Sequence, residues 1–243
     1  MTDLDIDETL QRWKNSLCQQ VSVGGLLARS ATAHKWKATL RSLTLRECIF
    51  WRVQDILNQA HLLHRAGHTL GSRILIRSAI ESIATLIHLN QITAQVLNGA
   101  LNFHAFDLKT RHLLLGSRDG STKHTSINIV TVLSHCDKKY EGLSGIYATL
   151  SECAHPNYEG MCIGYSDVDF ERHETNFSNR WNELWVDRHE PLMKLACGVF
   201  EEEYNVVWPE LLRGLETWLV ENDGNSPTKA VLVEVGVTRQ HVT

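Results

Sequence analysis

The sequence predicts an all-α fold, a single-domain helical bundle, from three observations. Only four prolines interrupt 243 residues. Apolar side chains recur at intervals of three and four over long stretches and seldom alternate. Short polar clusters, Ala66-Gly67, GSRDGSTKH at 116–124 and Glu141-Gly142, fall where such helices would have to turn.

Taken in order, a first helix is read over residues 3–20, with Leu4, Leu10, Trp13 and Leu17 inward. A second is read over 44–65, closed by Ala66-Gly67, and a third over 69–89. The fourth covers 93–115 and ends in the polar loop. Ser126 caps a fifth at 127–139, and Glu141-Gly142 separates it from the sixth at 143–155. Pro156 ends that helix, because it has no N–H to donate and holds His155 in an extended conformation. An irregular loop follows over 156–176, with a short extended piece expected around GMCIGYSDVDF. Helix returns from Ser178, with Pro191 and Pro209 at first-turn positions of renewed segments. Residues 1–221 thus form the bundle domain. Residues 222–243, with NDGNSPTK and then AVLVEVGV, are read as a flexible or weakly ordered tail.

Composition narrows the function. The chain is 43 % hydrophobic and 21 % charged with a net charge of −4, as expected of a soluble globular protein. Its longest basic run is Lys138-Lys139, which argues against a duplex-DNA surface. No apolar stretch is long enough to cross a bilayer, and MTDLDIDET is the opposite of a secretory signal. The six cysteines contain no C-x-x-C pair, so reduced thiols in a cytoplasmic protein are expected. Phosphate loops, dinucleotide glycine patterns and nucleophile elbows are absent from the sequence, and neither a cofactor nor a metal is expected.

Two helices carry the candidate site. Across 69–89, Ile76, Ala79, Ile80, Ile83, Leu86 and Ile87 form one apolar arc. The formal charges, Arg73, Arg77 and Glu81, share a single stripe beside it. Ile74, Ser78, Ser82, Thr85 and Leu89 fill the remainder without charge. A helix with no solvated charged face reads as central and buried. Across 143–155, Leu143, Ile146, Leu150, Cys153 and Ala154 form an arc flanked by Tyr147, Ser151 and His155, four apart. If the stripes meet, Arg73, Arg77, Glu81, Tyr147, Ser151 and His155 form one polar pocket between the helices.

Three readings of that pocket follow. It can be a structural network that fixes helix register. It can be a binding site for a small anionic or nucleotide ligand, with the arginines on phosphate and His155 moving a proton. Two arginines facing one carboxylate leave one guanidinium for a ligand. It can also be catalytic, as the resemblance below implies. His61, His64 and His68, at intervals of three and four, suggest a metal site only if their helix continues past Gly67.

GSRILIRSAIES and, far downstream, YATLSECAHPN resemble a group of uncharacterised bacterial helical proteins that share R-x3-R-x3-E and LSE-x-x-HP motifs. The layout is similar, more distantly, to the HEPN superfamily of helical bundles, often dimeric, which includes metal-independent ribonucleases of toxin and phage-defence systems. The resemblance implies a homodimer, a stress- or defence-type module and RNA as a partner. His155 would be the histidine and Tyr158 the tyrosine after it. HEPN enzymes carry an arginine four to six residues before the histidine. Here those positions hold Ser151, Leu150 and Thr149, so Arg73 or Arg77 would have to supply the charge from another helix.

Overall fold

The computed structural model describes residues 4–22, 24 and 37–222. The predicted tail lies outside the described residues except for Asn222. The fold is all-α, with one two-stranded hairpin.

Helix α1 spans Ile6–Ser16. Asp5 caps it by accepting the Glu8 N–H at 2.9 Å, and Ile6, Leu10 and Trp13 face the core. It is shorter than its pattern suggests. The Ser16 hydroxyl donates to the Trp13 carbonyl at 3.0 Å, competing with the backbone ladder at the point where the helix ends.

Helix α2, Lys37–Arg65, begins earlier than expected. Thr44, read as a start signal, instead donates its hydroxyl to Leu40 O, and Ser42 does the same to Ala38 O. Back-bonding to the preceding turn lets both hydroxyls sit inside the helix. Its end is as predicted: Gly67 takes φ +79°, His68 N–H reaches Leu63 O and Gly67 N–H reaches His64 O.

Helix α3, Thr69–Leu97, is the central element, packing on α2 and on most later helices. Ile76, Ile80, Ile83, Leu86, Ile87 and Leu89 are all at most 2 % exposed, each worth about 1.5–3 kcal/mol of burial. The helix outruns its predicted end at 89 because Thr93 also bonds back, to Leu89 O at 2.8 Å, instead of capping a new helix. Gly99, at φ +76°, stops it.

Helix α4 is Phe103–Leu115, capped by Asn102, and α5 is Ile129–Cys136, capped by Asn128 and not by Ser126. Helix α6 is Leu143–Ala154, and His155 leaves it at φ −96°, ψ 148°, the extended geometry its proline neighbour requires. The loop beyond holds a π-helical turn at Tyr158–Ile163 and an antiparallel hairpin of β1, Ser166–Asp169, with β2, Glu174–Phe177.

Helix α7, Trp181–Trp185, leads through a 3₁₀ turn into α8, His189–Glu201. A π-helical turn at Glu202–Val207 joins α8 to α9, Trp208–Asn222. The wider turn sits just before Pro209, whose ring would clash with the i−4 carbonyl of a regular helix. It also turns two consecutive residues inward, Glu203 at 0 % exposure and Tyr204 at 9 %. Glu203 is matched there by Lys139 Nζ at 2.6 Å, Tyr140 OH at 2.8 Å and Asn90 Nδ2 at 2.6 Å. All six cysteines are free, and among the described residues no helix is long and apolar enough to cross a membrane.

Candidate functional site

Four of the six sequence-predicted residues meet. From α3, Arg77 donates through Nε to Ser151 Oγ and through Nη2 to Tyr147 OH, both at 2.8 Å on α6. Tyr147 passes its own proton to Glu81 Oε1 at 2.9 Å, and Arg77 Nη2 lies 3.3 Å from the same oxygen. Ser151 in turn donates to Tyr147 O at 2.9 Å. Burial and the bond to Glu81 raise the Tyr147 pKa, so this phenol stays protonated and serves as a donor.

Arg73 and His155 stand apart from that network. Arg73 is 5 % exposed, and its Nε donates to Cys153 Sγ at 3.2 Å. Its guanidinium lies 5.5 Å from the Trp185 ring, and among the described residues it has no carboxylate within 4 Å. Burial raises the Cys153 pKa, so the bond is one from a guanidinium to a neutral thiol. His155 is exposed at the end of α6 and has no side-chain hydrogen bond among the described residues.

The network borders an open groove of about 770 Å³, within the ordinary range of small-ligand sites. Its walls come from α2, α3, the end of α4, the loop after it, the start of α5 and Tyr147 of α6. The groove is therefore displaced from the α3–α6 interface, towards α2 and the 116–128 segment. Arg52, Arg77 and Arg118 line it, together with Glu81. Arg52 repeats the Arg77 arrangement. Its Nε donates to Ser82 Oγ at 3.1 Å, while the Ser82 proton goes to Ser78 O. Each serine thus spends its proton on the i−4 carbonyl and turns a lone pair to an arginine. Among the described residues, Arg52 and Arg118 have no carboxylate partner, and the Nη groups of Arg52 and Nη1 of Arg77 have no hydrogen-bond partner. Three guanidiniums against one carboxylate give the lining an excess of positive charge. The lining also holds aliphatic side chains, Ile49, Leu113, Leu114, Ile129 and Val130.

Sequence reasoning missed Arg52 and Arg118. Arg52 follows Trp51 on a helix with several charges, and Arg118 sits in a polar loop, so neither breaks a local pattern. The uncharged Ser82 opposite Arg52 was the available signal.

A histidine cluster forms elsewhere, with His189 of α8 in place of His68. Asp7, as a carboxylate, can only accept, and it faces His61 Nε2 at 3.4 Å. His61 Nδ1 then accepts from His189 Nε2 at 3.1 Å, and His189 Nδ1 accepts from the Ser72 hydroxyl at 3.1 Å. His64 stacks on His189 with centroids 3.8 Å apart and planes 6° from parallel. Parallel stacked imidazoles cannot aim in-plane lone pairs at one ion. Among the described residues no set of three His, Cys, Asp or Glu side chains is placed to hold a metal. Burial, then His64 and His61, push the His189 pKa down to about 3.

Comparison with known proteins finds no matching family model, no matching curated protein and no matching solved structure. The functional reading accordingly rests on the groove itself.

Proposed function

We propose that this protein is a binding or regulatory module, of the stress or defence type that the HEPN-like resemblance implies, whose groove takes a small anionic ligand of the nucleotide kind. One observation carries the reading of the groove. Arg52 and Arg77 are each held at Nε by a serine, which leaves guanidinium edges at a cavity that also receives Arg118. A guanidinium fixed at Nε presents its remaining donors as a planar fork, the geometry that carboxylate and phosphate oxygens accept. Gathering three guanidiniums and one carboxylate in the lining of one groove costs self-repulsion without a ligand, and a purely structural network has no need of Arg52 or Arg118.

Arg77 has two tasks in this reading. Its bonds to Ser151 and Tyr147 tie α3 to α6, and its Nη1, without a hydrogen-bond partner among the described residues, is left for a ligand in the groove that Arg77 lines. A metal-independent ribonuclease would need a histidine beside the arginines; His155 is exposed and has no side-chain hydrogen bond among the described residues, so no observation favours that reading.

Thermal unfolding with a panel of phosphate-bearing small molecules tests the proposal, because a ligand that binds only the folded state raises the midpoint. The midpoint should rise for wild type and not for Arg52→Ala. A panel that moves neither protein, or moves both equally, refutes it.

A further inference from the structure

The arginines of the groove differ in whether a carboxylate matches them, and the difference specifies a ligand. Glu81 lies 3.3 Å from Arg77, so the positive charge of Arg77 is matched. Arg52 and Arg118, which line the same groove, have no carboxylate partner among the described residues. A phosphate against Glu81 would meet a like charge, whereas the guanidiniums of Arg52 and Arg118 are unmatched.

Glu81 is itself held in place. Its Oε1 accepts the Tyr147 proton at 2.9 Å, and among the described residues Oε2 receives no donor. A carboxylate oxygen at a ligand cavity, anchored through its twin, selects for an O–H or N–H on whatever lies against it. The lining also holds Leu113, Leu114 and Ile129, whose aliphatic surface suits the C–H faces of a sugar or a base.

We infer, on the reading that the groove is an anion site, that it takes a phosphomonoester whose carrier bears hydroxyl groups, with phosphate at Arg52 and Arg118 and a carrier hydroxyl on Glu81. A free sugar phosphate and a nucleoside monophosphate share this chemistry. Glu81 is then the residue that sets specificity, and the arginines set affinity.

Calorimetric titration of wild type and Glu81→Gln separates these ideas. The probes are inorganic phosphate, ribose 5-phosphate, adenosine 5′-monophosphate and its 2′,3′-dideoxy analogue. Wild type should prefer the hydroxylated nucleotide over the dideoxy analogue by about tenfold or more, the worth of one hydrogen bond to a charged group. Glu81→Gln should lose that preference while binding inorganic phosphate at least as tightly, because a repelling charge has gone. Ribose 5-phosphate binding as well as the nucleotide identifies a sugar-phosphate site; the nucleotide binding better adds a base contact on the aliphatic surface. If no probe binds wild type, the anion-site reading fails and this inference with it. If the probes bind wild type but Glu81→Gln keeps the wild-type preference, the anion site stands and the assignment of Glu81 is wrong. Melting of Glu81→Gln alongside confirms that the variant compared is folded.

Discussion

Acidification should destabilise this protein through its histidine cluster, well before its carboxylates titrate. His189 is 5 % exposed, and its pKa falls from 6.5 to about 3 through burial and the neighbouring His64 and His61. A histidine depressed in the folded state binds its proton more readily in the unfolded chain. Its contribution is fully present above pH 6.5 and is lost as the pH falls towards 3. Over that window the slope is about 1.4 kcal/mol per pH unit, so the fall from pH 6.5 to 5 costs about 2 kcal/mol. His64 is shifted the same way, and His88, pushed to about 4 by burial first, adds a similar loss. The other charged groups bordering the cluster's outer side are Asp5, Asp7, Glu190 and Lys194. The assay is urea unfolding at pH 7.5, 6.5 and 5, for wild type and for His189→Gln, which cannot titrate. Wild type should lose stability from pH 6.5 downward, and the variant should lose about 2 kcal/mol less over the same step. Superimposable pH profiles for the two proteins would refute the assignment of a buried neutral imidazole at 189.

Other substitutions separate structure from binding. Arg77→Ala removes bonds to Ser151, Tyr147 and Glu81, partners that are only partly exposed, and should cost about 2–3 kcal/mol in chemical denaturation. Arg52→Ala removes one bond from an exposed side chain and should stay within about 0.5 kcal/mol of wild type. Glu203→Ala strands Lys139, Tyr140 and Asn90 around a fully buried site and should cost about 3–5 kcal/mol. Gly164→Ala would bring a methyl group within 2.6 Å of the Trp181 ring, lowering the melting midpoint by an amount equivalent to about 1–3 kcal/mol.

Local signals in the sequence were read correctly where one residue type settled the backbone. Pro156 ended α6 at His155 because the residue before a proline is held extended, and Gly67 ended α2 because it takes the positive φ that other residues avoid. The burial of α3 was legible because its charges share one stripe. The meeting of Arg77 and Glu81 with Tyr147 and Ser151 followed from spacings of four on two helices. Boundaries marked by Ser or Thr failed at Thr44 and Thr93, where the hydroxyl bonds to the i−4 carbonyl inside the helix. The same residue type caps or continues a helix according to its neighbours in space. Long-range contacts were out of reach: His189 joins His61 from 128 positions away, and Arg118 enters the groove from a loop with no periodicity. His155, the fourth-spaced residue after Ser151, lies at the helix end as an exposed side chain outside the Arg77 network.

The most direct measurement is calorimetric titration of adenosine 5′-monophosphate into wild type, Arg52→Ala and Arg118→Ala, with melting curves taken on the same samples. An anion groove predicts saturable one-site binding to wild type, weakened about tenfold or more in each variant, the loss of one charge-assisted contact, with melting midpoints unchanged. Equal affinity in all three proteins, or none in wild type, would contradict it.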